Sequence, residues 1–281
     1  MKVHLDCFPC FLKQSIIALR LGTKDETLQK TILKSVLDDI QESDTSKPPA
    51  YTTTFIHRKI RQMLGTDPFK EIKLEYNQIA LKLYPTLKLT IEKSHDPLWT
   101  ATRLAIAGNV IDFGLFTSVD IEGTMRRALQ NPLGIDDYTA FKNMLSGTDE
   151  VLYLTDNSGE IVFDRLLIET MISLNKKVKA VVKGSPIIND STMEDALETG
   201  LTAVCEVVDN GSDAVGTILI WTSSRFQETF KNAQLVVSKG QGNFETLRGS
   251  EKKIFFLFQS KCDVVSKELG LSTGSMLLKK S

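Results

Sequence analysis

The sequence predicts an α/β protein, with helices first and then a mostly parallel, doubly wound sheet. Three observations predict it. Only Gly22 and Gly65 fall in the first 100 residues, while the other 15 of 17 glycines come later, and seven of the eight prolines precede residue 135. A glycine-poor segment followed by a glycine-rich one reads as helices and then tight strand-to-helix turns. The apolar period also changes, from a recurrence every three or four residues to short unbroken apolar runs beyond residue 150. Finally, each run is followed by a polar or glycine-bearing turn and, in most cases, a plausible helix, the alternation of a parallel sheet.

Element by element, Cys7 to Cys10 enter a first helix in which Pro9 is an early residue, a position proline tolerates. Leu28, Ile32, Val36 and Ile40 form one apolar helical face, and Ile72, Tyr76, Ile79 and Leu83 form another, with Ser43 to Ala50 as a polar connection. A further helix runs from about Pro97 to Asp112. The strands follow at Val151–Thr155, Val178–Val182, Ala203–Val208, Gln234–Val237 and Ile254–Phe258. The boundary falls near Ser94–Pro97, dividing a helical domain (residues 1–95) from an α/β domain (residues 96–281).

Composition narrows the function classes. The chain has 42% hydrophobic and 25% charged residues, and 34 Lys+Arg balance 35 Asp+Glu, so no bulk basic field exists for nucleic acid or an anionic membrane. The longest uncharged stretch, Ala214 to Ser224, has 11 residues against the roughly 20 of a membrane helix. The N-terminus carries no apolar signal core, and four cysteines do not make a disulfide scaffold. A soluble, cytoplasmic protein acting on a small molecule is expected, without nucleic acid or membrane; its oligomeric state is not legible.

In an open parallel sheet, ligands bind beyond the carboxyl ends of the strands. Those ends read Asp156-Asn157-Ser158-Gly159-Glu160, then Lys183-Gly184-Ser185-Pro186 with Asn189-Asp190-Ser191-Thr192, then Asp209-Asn210-Gly211, then Ser238-Lys239-Gly240-Gln241-Gly242-Asn243, then Lys261-Cys262. Carboxylates and amide oxygens are hard ligands suited to Mg²⁺ or Mn²⁺, while lysines and glycine-rich turns suit phosphate oxygens. Together they describe a site for a phosphate ester on a metal ion. Each turn also has a bland reading. Asp156, Asn157 and Ser158 are preferred helix caps, Asp190 to Glu194 resembles a capping arrangement, and Asp209-Asn210-Gly211 is an ordinary turn sequence.

Cys7 and Cys10 are a separate signal. They read as packed thiols at a helix entry, as zinc ligands or as a redox pair; a structural zinc needs four ligands, and Cys205, Cys262, His4 and His57 would have to complete it from afar. His57 and His95 read as surface or satisfied histidines.

Taken in order, these motifs, with Asp6-Cys7-Phe8-Pro9-Cys10 and Ala107-Gly108-Asn109-Val110-Ile111-Asp112-Phe113, resemble the metal-dependent damage-control phosphatases, formerly a domain-of-unknown-function family, in the subfamily with an N-terminal cysteine pair. The resemblance runs from Leu5 to about Gly270. It implies a helical part on a three-layer α/β/α domain and a divalent ion (manganese, nickel or magnesium) held by Asp156, Asn157 and Asp190. It also implies hydrolysis of phosphomonoesters of small metabolites such as sugar phosphates, nucleotides or damaged forms of them. Lys183 and Lys239 are expected to neutralise phosphate charge, with Asn109 and Asp112 orienting substrate or the attacking water. Water is the expected nucleophile, since Asp156 is committed as a ligand. Ser158, Gly159, Glu160, Asp209, Asn210, Gly240 and Asn243 are the candidate substrate contacts. Two rivals use the same rim: a non-catalytic metal- or nucleotide-binding regulator, and a methyltransferase, which lacks its early glycine fingerprint here.

Overall fold

The computed structural model describes residues 1–110 and 121–281. Helices α1 (Cys7–Gly22), α2 (Glu26–Gln41) and α3 (Pro49–Leu64) pack around their own apolar core, in which Phe11, Leu19, Ile32, Val36, Ile56 and Ile60 are buried. Asp25 caps α2 by accepting from the backbone N–H groups of Thr27 and Leu28. Helix α3 carries no regular apolar period, because Thr52, Thr53 and Thr54 occupy its buried face. Its start is chemical instead: Pro49 stands in the first turn, where no intrahelical N–H is needed, and Gly65 closes it at φ 72°.

Next come α4 (Lys70–Glu92), α5 (Pro97–Val110) and α6 (Ile121–Gln130). Ala80, Leu87 and Ile91 of α4 belong to the same core as α5 and the sheet, so α4 joins the first three helices to the α/β layers.

The α/β part contains β1 (Ile135–Asp136), α7 (Tyr138–Ser146), β2 (Glu150–Leu154), α8 (Glu160–Ser173), β3 (Lys177–Val182), α9 (Met193–Glu198) and β4 (Glu206–Asp209). It continues with α10 (Ser224–Asn232), β5 (Leu235–Lys239), α11 (Gln241–Leu247), β6 (Ile254–Gln259), α12 (Asp263–Leu269) and β7 (Met276–Lys280). These strands form a 7-stranded sheet in the order β1-β7-β6-β5-β2-β3-β4. Strands β6, β5, β2, β3 and β4 are mutually parallel, and β7 runs antiparallel to β6. Strands β1 and β7 add an edge that the apolar runs did not announce: β1 is two residues long and β7 ends in Lys279-Lys280.

Period-two alternation sorts the strand residues into two cores. Val151, Tyr153, Val178, Ala180, Leu235 and Val237 face α5 and α8, while Leu152, Leu154, Val181, Val236, Phe256 and Phe258 face Phe226, Phe244 and Val265 of α10, α11 and α12. Helices on both faces give the three layers. Each fully buried Val, Leu or Phe contributes roughly 1.5–3 kcal/mol, so this double core fixes the sheet's register. Chain order reverses at β2, whose neighbours are β3 on one side and β5 on the other. The crevice beyond its carboxyl end is where such a sheet binds ligands.

Candidate active site

At that crevice the loops after β2 and β3 are sewn together by their backbones. Ser158 N–H donates to the Asn189 carbonyl (2.9 Å), Ser191 N–H to the Asp156 carbonyl (2.7 Å) and Lys183 N–H to the Ser191 carbonyl (2.9 Å). Asn157 and Asp190 form an isolated antiparallel bridge. Asp156, Asn157 and Asp190 are thus held side by side by main chain. The side chains of Asp156 and Asn157 are not spent on capping: α8 begins after Gly159 with no side-chain cap. The turn after β5 closes the site from the other side. Gly240 sits at φ 83°, and a Cβ there would lie 2.0 Å from Asp156 Oδ2, so only glycine lets the chain pass this carboxylate.

The centre is crowded with carboxylates. Asp156 Oδ2 accepts from Asn109 Nδ2 (3.0 Å) and Asn157 Nδ2 (2.7 Å), and Glu160 Oε2 accepts from the same two amides (2.9 and 3.0 Å). Asn109 is oriented in turn by Gln259 N–H, which donates to its Oδ1 at 3.1 Å. Burial, then Glu160 and Asp190, push the Asp156 carboxyl well above the usual range, against Lys261 and Lys183. Burial also raises Asp190, although Lys183 opposes it. Asp190 Oδ2 is buried, forms a 3.4 Å ion pair with Lys183 Nζ and has no hydrogen-bond partner among the described residues. Lys183 itself is occupied, donating to the Gly216 carbonyl.

Lys239 corrects an expectation. It is the last residue of β5, not part of the turn, and alternation points it with Leu235 and Val237 towards α5 and α8. There it is fully buried. Its ammonium donates to the Ala105 carbonyl (2.8 Å), Glu160 Oε1 (2.7 Å) and Asp164 Oδ1, and three donors are all an ammonium has. Lys239 therefore positions Glu160 from beneath and has no proton left for a phosphate. Asp164, absent from the sequence reading, is its second partner. Burial raises the Asp164 carboxyl to about 7, against the pull of Lys239.

Other expected substrate contacts also have internal partners. Ser158 Oγ donates to Asp195 Oδ1 (3.0 Å), and Gly159 N–H donates to Asn77 Oδ1 (2.7 Å) on α4. Asn210 Oδ1 accepts from Gly184 and Ser212 N–H (3.2 and 2.9 Å), clamping two loops, and Asp209 accepts from Gly211 N–H within its own turn. Asn243 bonds the Lys239 carbonyl (2.8 Å) and Thr217 Oγ1 (2.7 Å). Serine, asparagine and glycine in these turns tie the loops to one another. Asp112 lies outside the described residues.

A cavity of about 410 Å³ opens over the crevice between the sheet edge and α1, α3 and α4. Asp156, Asn157, Asn189, Asp190 and Lys261 line one end. Cys7 and Cys10 lie on its wall together with Cys262, so the pair is distant from the sheet turns in sequence only. Desolvation by the surrounding protein holds both thiols above their ordinary range, with Cys262 adding to it. Among the described residues, no group of three His, Cys, Asp or Glu side chains is placed to hold an ion by itself. His57 also lines the cavity, and it is neither exposed nor satisfied: it is 4% exposed and, among the described residues, its Nε2 has no hydrogen-bond partner. Burial lowers its pKa to about 4, so the ring is neutral at physiological pH.

Comparison with known proteins matches this architecture from end to end. A damage-control phosphatase of Archaeoglobus fulgidus is 35% identical over 99% of this chain and 99% of its own length. A damage-control phosphatase of Pyrococcus horikoshii is 34% identical over 99% of this chain and 97% of its own. A crystal structure of a DUF89 family protein from P. horikoshii superposes with a TM-score of 0.92 at 33% identity, covering 100% of this chain and 99% of that one. The family model for the damage-control phosphatase ARMT1-like domain spans residues 3–277. On these matches and this fold, the chain belongs to the damage-control phosphatase ARMT1-like domain family.

Proposed function

We propose that the protein is a metal-dependent phosphatase that hydrolyses phosphomonoesters of small metabolites. The observation that carries this reading is the charge of the site: among the described residues, four carboxylates (Asp156, Glu160, Asp164, Asp190) share two buried ammoniums (Lys183, Lys239), with the exposed Lys261 nearby. A divalent cation balances that excess and accounts for Asp190 Oδ2, which has no hydrogen-bond partner among the described residues. The donors fit a hard ion such as Mn²⁺, Mg²⁺ or Ni²⁺, with Asp156 and Asp190 as carboxylate ligands and Asn157 as the amide ligand. Asn157 presents Nδ2 to Asp156 here, so ligation requires its amide to turn Oδ1 inward. Such an ion supplies Lewis-acid polarisation of a phosphoryl oxygen.

The chain's own residues supply the rest. Glu160, fixed by Lys239 from below, holds the amides of Asn109 and Asn157 in place. Lys183, paired with Asp190 at 3.4 Å, adds buried positive charge beside that ligand. Lys261, exposed at the end of β6 and on the cavity wall, takes the part expected of Lys239, neutralising charge on the outer phosphate oxygens. Homologues named damage-control phosphatases support the same activity.

Phosphate release from 4-nitrophenyl phosphate, compared in Mn²⁺, Ni²⁺, Mg²⁺ and chelator, tests the reading. Release that requires the ion supports it; ion binding without release in any metal would return the site to a regulator.

A further inference from the structure

The cavity is larger than a phosphate group needs, and its two ends differ in chemistry. Besides the carboxylates, its wall includes Phe11 and Ile17 of α1, Phe69 and Ile72 at the start of α4, and Ile188 and Val215 of the sheet loops. Cys7 and Cys10, held as thiols, act on this wall as small apolar groups. Of the polar groups on it, Glu245 is already bonded by Gln241 (2.8 Å), and two atoms are buried without a hydrogen-bond partner among the described residues: Gln14 Oε1 and His57 Nε2. A polyol body would bring one hydroxyl per carbon against this wall and leave most of them unpaired, which buried polar groups do not tolerate.

We propose that the ligand of this cavity is a phosphomonoester with an apolar body, alkyl or aryl, bearing one hydrogen-bonding group that reaches Gln14 and His57, rather than a sugar phosphate. The proposal rests on the phosphatase reading for the phosphate end and goes beyond it for the rest of the molecule. The phosphate sits over Asp156 and Asp190, and the body extends from the sheet edge towards α1 and α3. A cavity of about 410 Å³ is within the range that encloses a ligand of roughly drug size. The cysteine pair thereby has a role that needs neither zinc nor redox chemistry: it is part of the apolar lining.

The experiment is titration calorimetry of the full chain with Mn²⁺ and three non-hydrolysable probes that share a phosphonate: methylphosphonate, benzylphosphonate and a ribose 5-phosphate analogue. Benzylphosphonate is expected to bind at least about tenfold more tightly than methylphosphonate, and the sugar analogue no more tightly than methylphosphonate. Benzylphosphonate is also expected to protect Cys10, an exposed thiol on this wall, from iodoacetamide, read from the mass of its peptide. Methylphosphonate binding with no gain from the benzyl group, or tighter binding of the sugar analogue, overturns the apolar-body proposal and leaves the phosphatase reading intact. Tight binding of benzylphosphonate alongside failure to hydrolyse any ester supports this ligand and removes the phosphatase reading. If none of the three probes binds in Mn²⁺, Ni²⁺ or Mg²⁺, both fall.

Discussion

Replacing Lys239 by methionine separates a residue that holds the site together from one that touches phosphate. Methionine keeps most of the stem volume, so the cavity cost is small, and the loss is electrostatic. The ammonium is fully buried between Glu160 and Asp164, and removing one partner of a buried ion pair typically costs ~3–5 kcal/mol. Proton uptake limits that loss. Asp164 is held near 7 against the pull of Lys239, so without that ammonium its carboxyl rises further and takes up a proton at pH 7.5 for less than about 1 kcal/mol. Glu160 keeps the hydrogen bonds from Asn109 and Asn157. The expected loss is therefore at the low end, about 3 kcal/mol at pH 7.5. An acid whose folded pKa is raised lends stability while protonated and loses it as pH climbs from its unfolded value, near 4, through its folded one. The deficit should accordingly shrink by less than about 1 kcal/mol, to about 2 kcal/mol, at pH 5.5, where Asp164 is protonated in both proteins. Urea unfolding followed by circular dichroism at both pH values measures it. A variant as stable as the parent at pH 7.5, yet slow in phosphate release, would refute the reasoning and return Lys239 to the phosphate.

Three further outcomes follow from the same geometry. Gly240→Ala puts a methyl on the Asp156 carboxylate at a positive φ and should lose ion binding in calorimetry, together with roughly 1–2 kcal/mol of stability. Because Asp156, Asp164 and Asp190 all have raised carboxyls, the ion-free protein should melt lower at pH 8 than at pH 5.5. Manganese should erase most of that difference and bind more tightly at pH 8, where protons no longer compete for Asp156 and Asp190; an affinity that is flat with pH contradicts the ligand set. Changing both Cys7 and Cys10 to serine should leave kcat within a few-fold while raising KM for apolar esters, and a full loss of activity in folded, metal-loaded protein would give the thiols a chemical role.

The layers and the position of the crevice were legible because they rest on repeated signals: the apolar runs of β2, β3, β5 and β6 and the polar turns after them. What one-dimensional reading misplaced depends on direction. Lys239 reads as part of a glycine turn, yet it belongs to the strand, and strand alternation, not composition, decides that it faces α8. Ser158, Gly159, Asn210 and Asn243 look like ligand-facing residues because loop construction and phosphate binding use the same small polar side chains. Asp164 and Asn77 were invisible as site residues, since each sits inside a helix and acquires its partner only through packing against a distant element. For α3, Pro48-Pro49 reads as a linker, although proline is compatible with a first helical turn. The cavity, with Cys7, Cys10 and His57 on its wall, exists only once α1 and α3 lie over the sheet edge. No spacing within α1 or α3 encodes that juxtaposition.

The claim on which the rest depends is that Asp156, Asn157 and Asp190 hold one divalent ion. Manganese titration followed by electron paramagnetic resonance reads it directly, through the loss of the free-ion signal. One ion per chain in the parent, and none in Asp190→Ala protein that unfolds in urea like the parent, is the result this account predicts. Stoichiometric manganese retained by Asp190→Ala, or no manganese bound by the parent at pH 8, would contradict it.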